Sequence, residues 1–235
     1  MRMRPSSFVL IPGAGGMAWY WHRVIPVLEQ AGHEAIAVDL PAEDDGVGLS
    51  DYADIVARAI GDRSNVALVA QSLGGFTAPL VCERVAMQGT PIRMLIFVNA
   101  MIPRSGETAG AWWENTGSAD ARVAAARAGG YSTEFDLHTY FLYDVPEAVL
   151  RDSPPQRDQS DAMFSEPCRF ERWPDIPIRV IAAADDRFFP LTFQRRVARE
   201  RLAADIATVR GGHLVALSNP SELGERLLQM ERESG

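Results

Sequence analysis

Short, unbroken apolar runs alternate with helical repeats along this chain. Residues 8–11, Phe-Val-Leu-Ile, hold no polar position and read as a strand covered on both faces. Over 19–31, Val24, Val27, Leu28 and Ala31 recur at helical spacing, which predicts a helix stopped by Gly32. The alternation continues with a strand at 35–38 and a helix at 51–60 for which Ser50 is the expected cap. A second fully apolar run spans 66–70, a helix is expected over 76–87, and a fourth strand covers 92–98.

After Asn99 the rhythm breaks. Residues 101–173 hold no convincing buried strand and are rich in aromatic and small side chains, among them Trp112, Trp113, Tyr140 and Phe141. A stretch of that length is not expected to be structureless, so a mostly helical insertion is predicted there. Most of its aromatics are expected to be core and only a few to face a ligand. The alternation resumes with a strand over 177–184, a helix over 191–202, a short strand over 205–209 and a helix over 220–230. Asn219, Pro220 and Glu222 are the expected cap, first-turn proline and capping-box partner of that last helix. Strands and helices in this order predict an α/β protein with a mostly parallel, doubly wound sheet of about six strands. The core is expected at 1–100 and 174–235, and the helical cap at 101–173.

The chemistry falls where strands end. Ser72 follows the 66–70 strand directly, with Ala70 two residues before it and Gly74 two after. A strand that turns at once into a helix around a serine needs small neighbours, because the two backbones nearly touch; this is the nucleophile-elbow arrangement. An ordinary turn or helix cap produces the same local string, so other parts are needed. Asp185, Asp186 and His213 also lie just after strands, and side chains at those positions converge on the carboxyl edge of a parallel sheet. Spacing alone does not choose between Asp185 and Asp186. His22, His33 and His138 read as structural. The loop Pro12-Gly13-Ala14-Gly15-Gly16 has neither the Gly-Lys-Ser/Thr ending nor the Gly-x-Gly-x-x-Gly spacing of a nucleotide site. The Ala14 amide is instead expected to be half of an oxyanion hole, and the Leu73 amide at the helix start also favours negative charge.

Composition narrows the classes. A net charge of -8 with no basic cluster argues against nucleic acid as a partner, and all 23 basic residues are arginine. Cys82 and Cys168 match no metal or redox spacing, although a disulfide between them stays open. Arg2 and Arg4 precede an apolar run too short for a signal peptide, and no run approaches membrane-spanning length. A cytoplasmic protein without cofactor, metal or membrane association is therefore expected, and a homodimer stays open.

Taken together, the motifs resemble those of the α/β-hydrolase superfamily across nearly the whole chain. Ala70-Gln71-Ser72-Leu73-Gly74-Gly75 resembles its nucleophile motif, with Ala70 in place of the usual first glycine. Ala182-Ala183-Ala184-Asp185-Asp186-Arg187-Phe188-Phe189-Pro190 resembles its acid motif, whose carboxylate stands four residues before a proline, which favours Asp186. Gly212-His213 with Asn219-Pro220 resembles the histidine loop and final helix. Ile11-Pro12-Gly13-Ala14-Gly15-Gly16 with Trp19 and Trp21 is most similar to small esterases grouped with plant methyl-ester hydrolases and hydroxynitrile lyases. Leu214 and Gly13 stand where those lyases carry a lysine and a hydroxylated residue, so lyase activity is not expected. The resemblance implies a serine hydrolase that cleaves a small, largely apolar carboxylic ester through an acyl-enzyme on Ser72. His213 would be the base, Asp186 its orienting acid, and the Ala14 and Leu73 amides the oxyanion hole. The alternatives are a non-catalytic ligand receptor on the same scaffold, or a C–C hydrolase or cofactor-free perhydrolase using the same triad.

Overall fold

The computed structural model describes residues 5–90 and 92–234; Arg2 and Arg4 lie outside them. Six strands form one sheet: β1 (Ser7–Ile11), β2 (Glu34–Ala37), β3 (Val66–Gln71), β4 (Ile92–Val98), β7 (Ile178–Ala183) and β8 (Ile206–Val209). They lie in the order β2-β1-β3-β4-β7-β8, and every neighbouring pair is parallel. The sheet is thus the predicted one, with strand ends within two residues of those read from the pattern.

Alternation along the strands supplies two separate apolar faces. Val9, Leu68, Leu95 and Phe97 pack with Val56, Phe76 and Val81 from α2 (Leu49–Ile60) and α3 (Gly74–Met87), and with Val197 from α8 (Leu191–Leu202). Leu10, Val69, Ile96 and Ile181 face the other way. There they meet Leu28 of α1 (Ile25–Gln30) and Leu223 and Leu227 of α10 (Pro220–Glu233). With both faces covered, the interior strands hold no exposed position, which is why they appear as unbroken apolar runs.

Three local expectations need correction. The predicted 19–31 helix is a 3-10 turn at Ala18–Trp21 followed by the short α1. Pro26 sits in the first turn of α1, where its missing N–H costs nothing, and its ring is incompatible with a helix continuing from His22. Helix α2 is capped at Gly48 rather than Ser50: Asp51 Oδ2 accepts the Gly48 N–H at 3.0 Å, and Glu166 Oε2 accepts the Leu49 N–H at 2.6 Å. Asn219 does not cap α10 with its side chain; its Nδ2 donates to Glu222 Oε2 at 2.7 Å and to the Arg210 carbonyl at 3.1 Å.

Between β4 and β7 the chain is mainly helical. It contains α4 (Ala109–Thr116), α5 (Ser118–Gly129), a π turn at His138–Leu142, α6 (Glu147–Arg151) and α7 (Ala162–Ser165). A two-residue antiparallel ladder, β5 (Glu107–Thr108) with β6 (Pro167–Cys168), closes this segment on itself. Two residues are too few to leave a periodic signature, so the pattern did not reveal them. Trp112 and Tyr140 are fully buried, but Trp113, Tyr131, Phe141, Tyr143 and Phe164 are only partly so and Phe135 is half exposed, so fewer of these aromatics are core than expected. Both cysteines are buried and free, and burial pushes the Cys82 thiol up to about 12. No helix among the described residues is long and apolar enough to cross a membrane.

A buried ion pair ties this segment to α8. Arg201 donates to Glu107 through both Nη atoms, with Nη2 at 3.0 Å from Oε1, and Asn115 Nδ2 donates to Oε1 at 2.8 Å. Both charged side chains are almost wholly buried. Burial raises the Glu107 carboxyl, but the hydrogen bonds from Arg201, Asn115 and the Arg104 N–H outweigh it and hold the group below the usual carboxylate range. A depressed carboxylate contributes stability above its unfolded-state pKa and loses it as pH falls through the folded value. Glu107→Gln is therefore expected to cost about 3 kcal/mol at pH 7, because Arg201 is left buried without its counter-charge. The cost should shrink below about pH 4, where the wild type loses the same pairing. Urea unfolding of both proteins at pH 7 and at pH 3.5 measures it.

Candidate active site

The site is built on the turn after β3. Ser72 has φ +49°, a strained value for a non-glycine residue. Its carbonyl accepts from Gly75 N at 3.1 Å and from Met101 N at 2.9 Å, while its own N–H reaches Val98 O at 3.4 Å. The turn is thereby held from α3 and from the end of β4. A Cβ on Gly75 would overlap the Met101 carbonyl, and one on Gly13 would overlap Gln71 and stand 2.8 Å from Ser72 Cβ. A Cβ on Gly74 would likewise stand 2.5 Å from the Pro12 carbonyl oxygen, so the chain leaving β1 and the chain leaving β4 both pass too close to this turn for a side chain.

His213, on the loop after β8, is fully buried. Its Nε2 lies 3.1 Å from Ser72 Oγ and its Nδ1 2.9 Å from Asp186 Oδ2. A carboxylate accepts only, so Nδ1 carries the proton and Nε2 is left as acceptor toward Ser72. Asp186 has its second oxygen, Oδ1, on the N–H groups of Phe188 (2.8 Å) and Phe189 (2.9 Å). Asp185 turns elsewhere: its Oδ2 accepts the Gly211 N–H at 3.2 Å and its carbonyl accepts Tyr143 Oη–H at 2.6 Å. The structure therefore joins Ser72, His213 and Asp186 in one hydrogen-bonded chain and leaves Asp185 out of it. Among the described residues, the Ala14 and Leu73 N–H groups donate to no protein acceptor. His22 and His33 hold local contacts, with the Trp19 carbonyl and the Ser6 N–H.

Side chains that the sequence reading passed over complete the arrangement. Asn99, buried at the end of β4 with φ +45°, accepts the Ala183 N–H at 2.7 Å. Its Nδ2 donates to the Gly212 and His213 carbonyls at 3.2 and 3.1 Å. Gln194 of α8 donates to the Phe189 carbonyl at 2.7 Å and, more weakly at 3.3 Å, to Asp186 Oδ2. Gln71 Nε2 lies 3.4 Å from His213 Nε2. The available signal for Asn99 was a polar residue closing an apolar strand at the same edge; Gln194 carried none. Around the imidazole stand the rings of Phe141, Phe188 and Phe189, with centroids 4.8, 5.1 and 5.1 Å from its own. Trp113 and Phe135 pack on Phe188, and Phe135 is half exposed.

A serine, histidine and carboxylate at the carboxyl edge of a parallel sheet, in that chain order, is a hydrolase arrangement carried on an α/β scaffold. The chain belongs to the alpha/beta hydrolase family, whose model matches residues 8–226. It is 26% identical to Methylesterase 9 of Arabidopsis thaliana over 96% of this chain and 98% of that protein. It is 34% identical to methyl jasmonate esterase 1 of Vitis vinifera over 44% of this chain and 42% of that protein. Among solved structures, polyneuridine aldehyde esterase superposes with a TM-score of 0.75 at 21% identity, covering 97% of this chain and 99% of that one. A pyrethroid hydrolase from Sphingobium faniae gives 0.77 at 21% identity, covering 97% and 98%.

Asn99→Ala removes an acceptor from a buried amide and two donors from the histidine loop. Leaving those groups unpaired is expected to lower stability by about 2–3 kcal/mol in chemical denaturation. A loss below about 0.5 kcal/mol would show that the loop does not depend on this residue.

Proposed function

We propose that the protein is a carboxylesterase acting on a small, largely apolar ester through an acyl-enzyme on Ser72. The observation that carries this reading is the continuous chain from Ser72 Oγ through His213 to the buried carboxylate of Asp186. His213 Nε2 takes the Ser72 proton as Oγ bonds to the ester carbonyl carbon. The negative charge that develops on the carbonyl oxygen is met by the Ala14 and Leu73 N–H groups, each such donor being worth on the order of 3 kcal/mol of barrier. Collapse breaks the bond to the alkoxy oxygen, which leaves as the alcohol with the proton held on Nε2. Water then adds to the acyl carbon, gives its proton to Nε2, and the acid is released as Ser72 recovers its proton. Asp186 keeps the imidazole in the Nδ1–H form and stabilises the imidazolium between these steps.

The segment 101–173 serves in this proposal as a cap over the reacting edge, with Phe141 against His213 and Trp113 against Phe188 of the acid loop. Rings in these places favour apolar acyl or alcohol groups and keep bulk water from the imidazole. The family relationship to a methylesterase and a methyl jasmonate esterase supports a methyl or other small alkyl ester of an organic acid.

Ser72→Ala is expected to lower kcat/KM on p-nitrophenyl acetate or butyrate by about a thousandfold or more, while the circular dichroism spectrum is unchanged. A fluorophosphonate probe is expected to label wild type at Ser72 alone, by peptide mass mapping, and to leave the variant unlabelled. A folded wild type that neither labels nor turns over these esters would overturn the proposal.

A further inference from the structure

The loop that carries His213 is held through both backbone polar groups of one residue, Gly212, and one of the holding residues is a carboxylate that the triad does not include. Asp144, which follows the π turn of the segment between β4 and β7, accepts the Gly212 N–H on Oδ2 at 2.6 Å. On the far side, Asn99 Nδ2 binds the Gly212 carbonyl at 3.2 Å. The contact is close along its length. A Cβ on Gly212 would stand 2.8 Å from Asp144 Oδ1 and 3.0 Å from the Tyr143 ring. Gly211, at φ +123°, would place one 3.5 Å from Asp144 Oδ2. Asp144 and Tyr143 therefore leave no room for a side chain at Gly212, whereas Gly211 is required by its own backbone conformation.

The other oxygen is unlike an ordinary structural carboxylate. Asp144 Oδ1 is buried and accepts no hydrogen bond, and among the described residues no cation pairs with Asp144. Burying a carboxylate without a counter-charge is unfavourable, whereas an amide of the same shape could accept the Gly212 N–H without that cost.

We propose that Asp144 is a positioning residue for His213, which fixes the histidine loop by accepting the Gly212 N–H. This deepens the esterase reading and rests on it. Asp186 on Nδ1, Ser72 and Gln71 on the Nε2 side, and the rings of Phe141, Phe188 and Phe189 make up the direct surroundings of the imidazole. The titratable and charged groups near Asp144 and the loop are Tyr20, Tyr143, Asp185, Arg187 and Arg23. Arg187 is stacked on the Tyr143 ring at 3.7 Å and Arg23 is bonded to the Leu217 carbonyl, so neither forms an ion pair with Asp144. Removing the acceptor should then loosen the loop that holds His213 against Ser72, whereas an amide at the same place should keep it.

The test is the rate of fluorophosphonate labelling of Ser72, which needs no knowledge of the natural ester. In Asp144→Asn, which keeps shape and acceptor, the rate is expected to stay within about threefold of wild type. In Asp144→Ala, which removes the acceptor, the rate is expected to fall about tenfold while the circular dichroism spectrum is unchanged. A folded Asp144→Ala labelled at the wild-type rate overturns the proposal, and so does an Asp144→Asn that loses as much as Asp144→Ala. A wild type that is not labelled at any pH overturns the esterase reading itself, so the two failures are told apart.

Discussion

The structure depends on how closely the chain passes itself at the turn after β3. Ser72 is forced into a positive φ because β3 ends and α3 begins within two residues, and the backbone has no longer path between them. That strain, of the order of 1–3 kcal/mol, persists only because the surroundings leave no alternative. The Ser72 carbonyl is tied to α3 and to the chain leaving β4, and its Cβ faces Gly13 across a gap that admits no further carbon. The same crowding leaves the Leu73 amide without a protein acceptor at the start of a fourteen-residue helix. Strain, a forward-pointing hydroxyl and an unpaired amide are thus one geometric event rather than three.

Burying the imidazole imposes the next constraint. A histidine and an aspartate with no exposure must have their polar atoms satisfied, or the site would unfold the loops that carry it. Asp186 meets this with two amides of its own turn, His213 and Gln194. Asn99 links the ends of β4 and β7 to the loop after β8 in the same manner. Such polar groups are costly singly and rigidifying together, so the network holds the serine and histidine within hydrogen-bond reach without help from a ligand.

The sheet and the strand-end positions of Ser72, His213 and the Asp185–Asp186 pair were legible in the sequence because each rests on a strong local signal. Strands covered on both faces appear as unbroken apolar runs, and residues just after them must lie at one edge. What was not legible has physical reasons as well. The choice of Asp186 over Asp185 depends on which carboxylate meets the amides of Phe188 and Phe189, and adjacent aspartates in a turn share every local property. The break at Pro26 was misread because the apolar spacing continues through it while the hydrogen-bond ladder does not. Ser50 lost the cap to Gly48 because a distant carboxylate, Glu166, takes the Leu49 N–H. Asn99 and Gln194 act through partners 84 to 114 and 5 to 95 residues away, and periodicity carries no such information.

The segment between β4 and β7 reaches the sheet edge through side-chain acceptors placed on core backbone amides. Gln159 takes the Gly15 N–H, Glu166 takes the Leu49 N–H and Asp144 takes the Gly212 N–H. Gly15 and Gly212 lie in the loops after β1 and β8, which flank Ser72, and Leu49 opens α2, so the segment is pinned to the core at three places. An amide donor exists at every non-proline position whatever side chain it carries. Attachment of this kind therefore does not depend on the side chains that the core carries at these three positions. It also ties the histidine loop directly to the layer that would contact substrate.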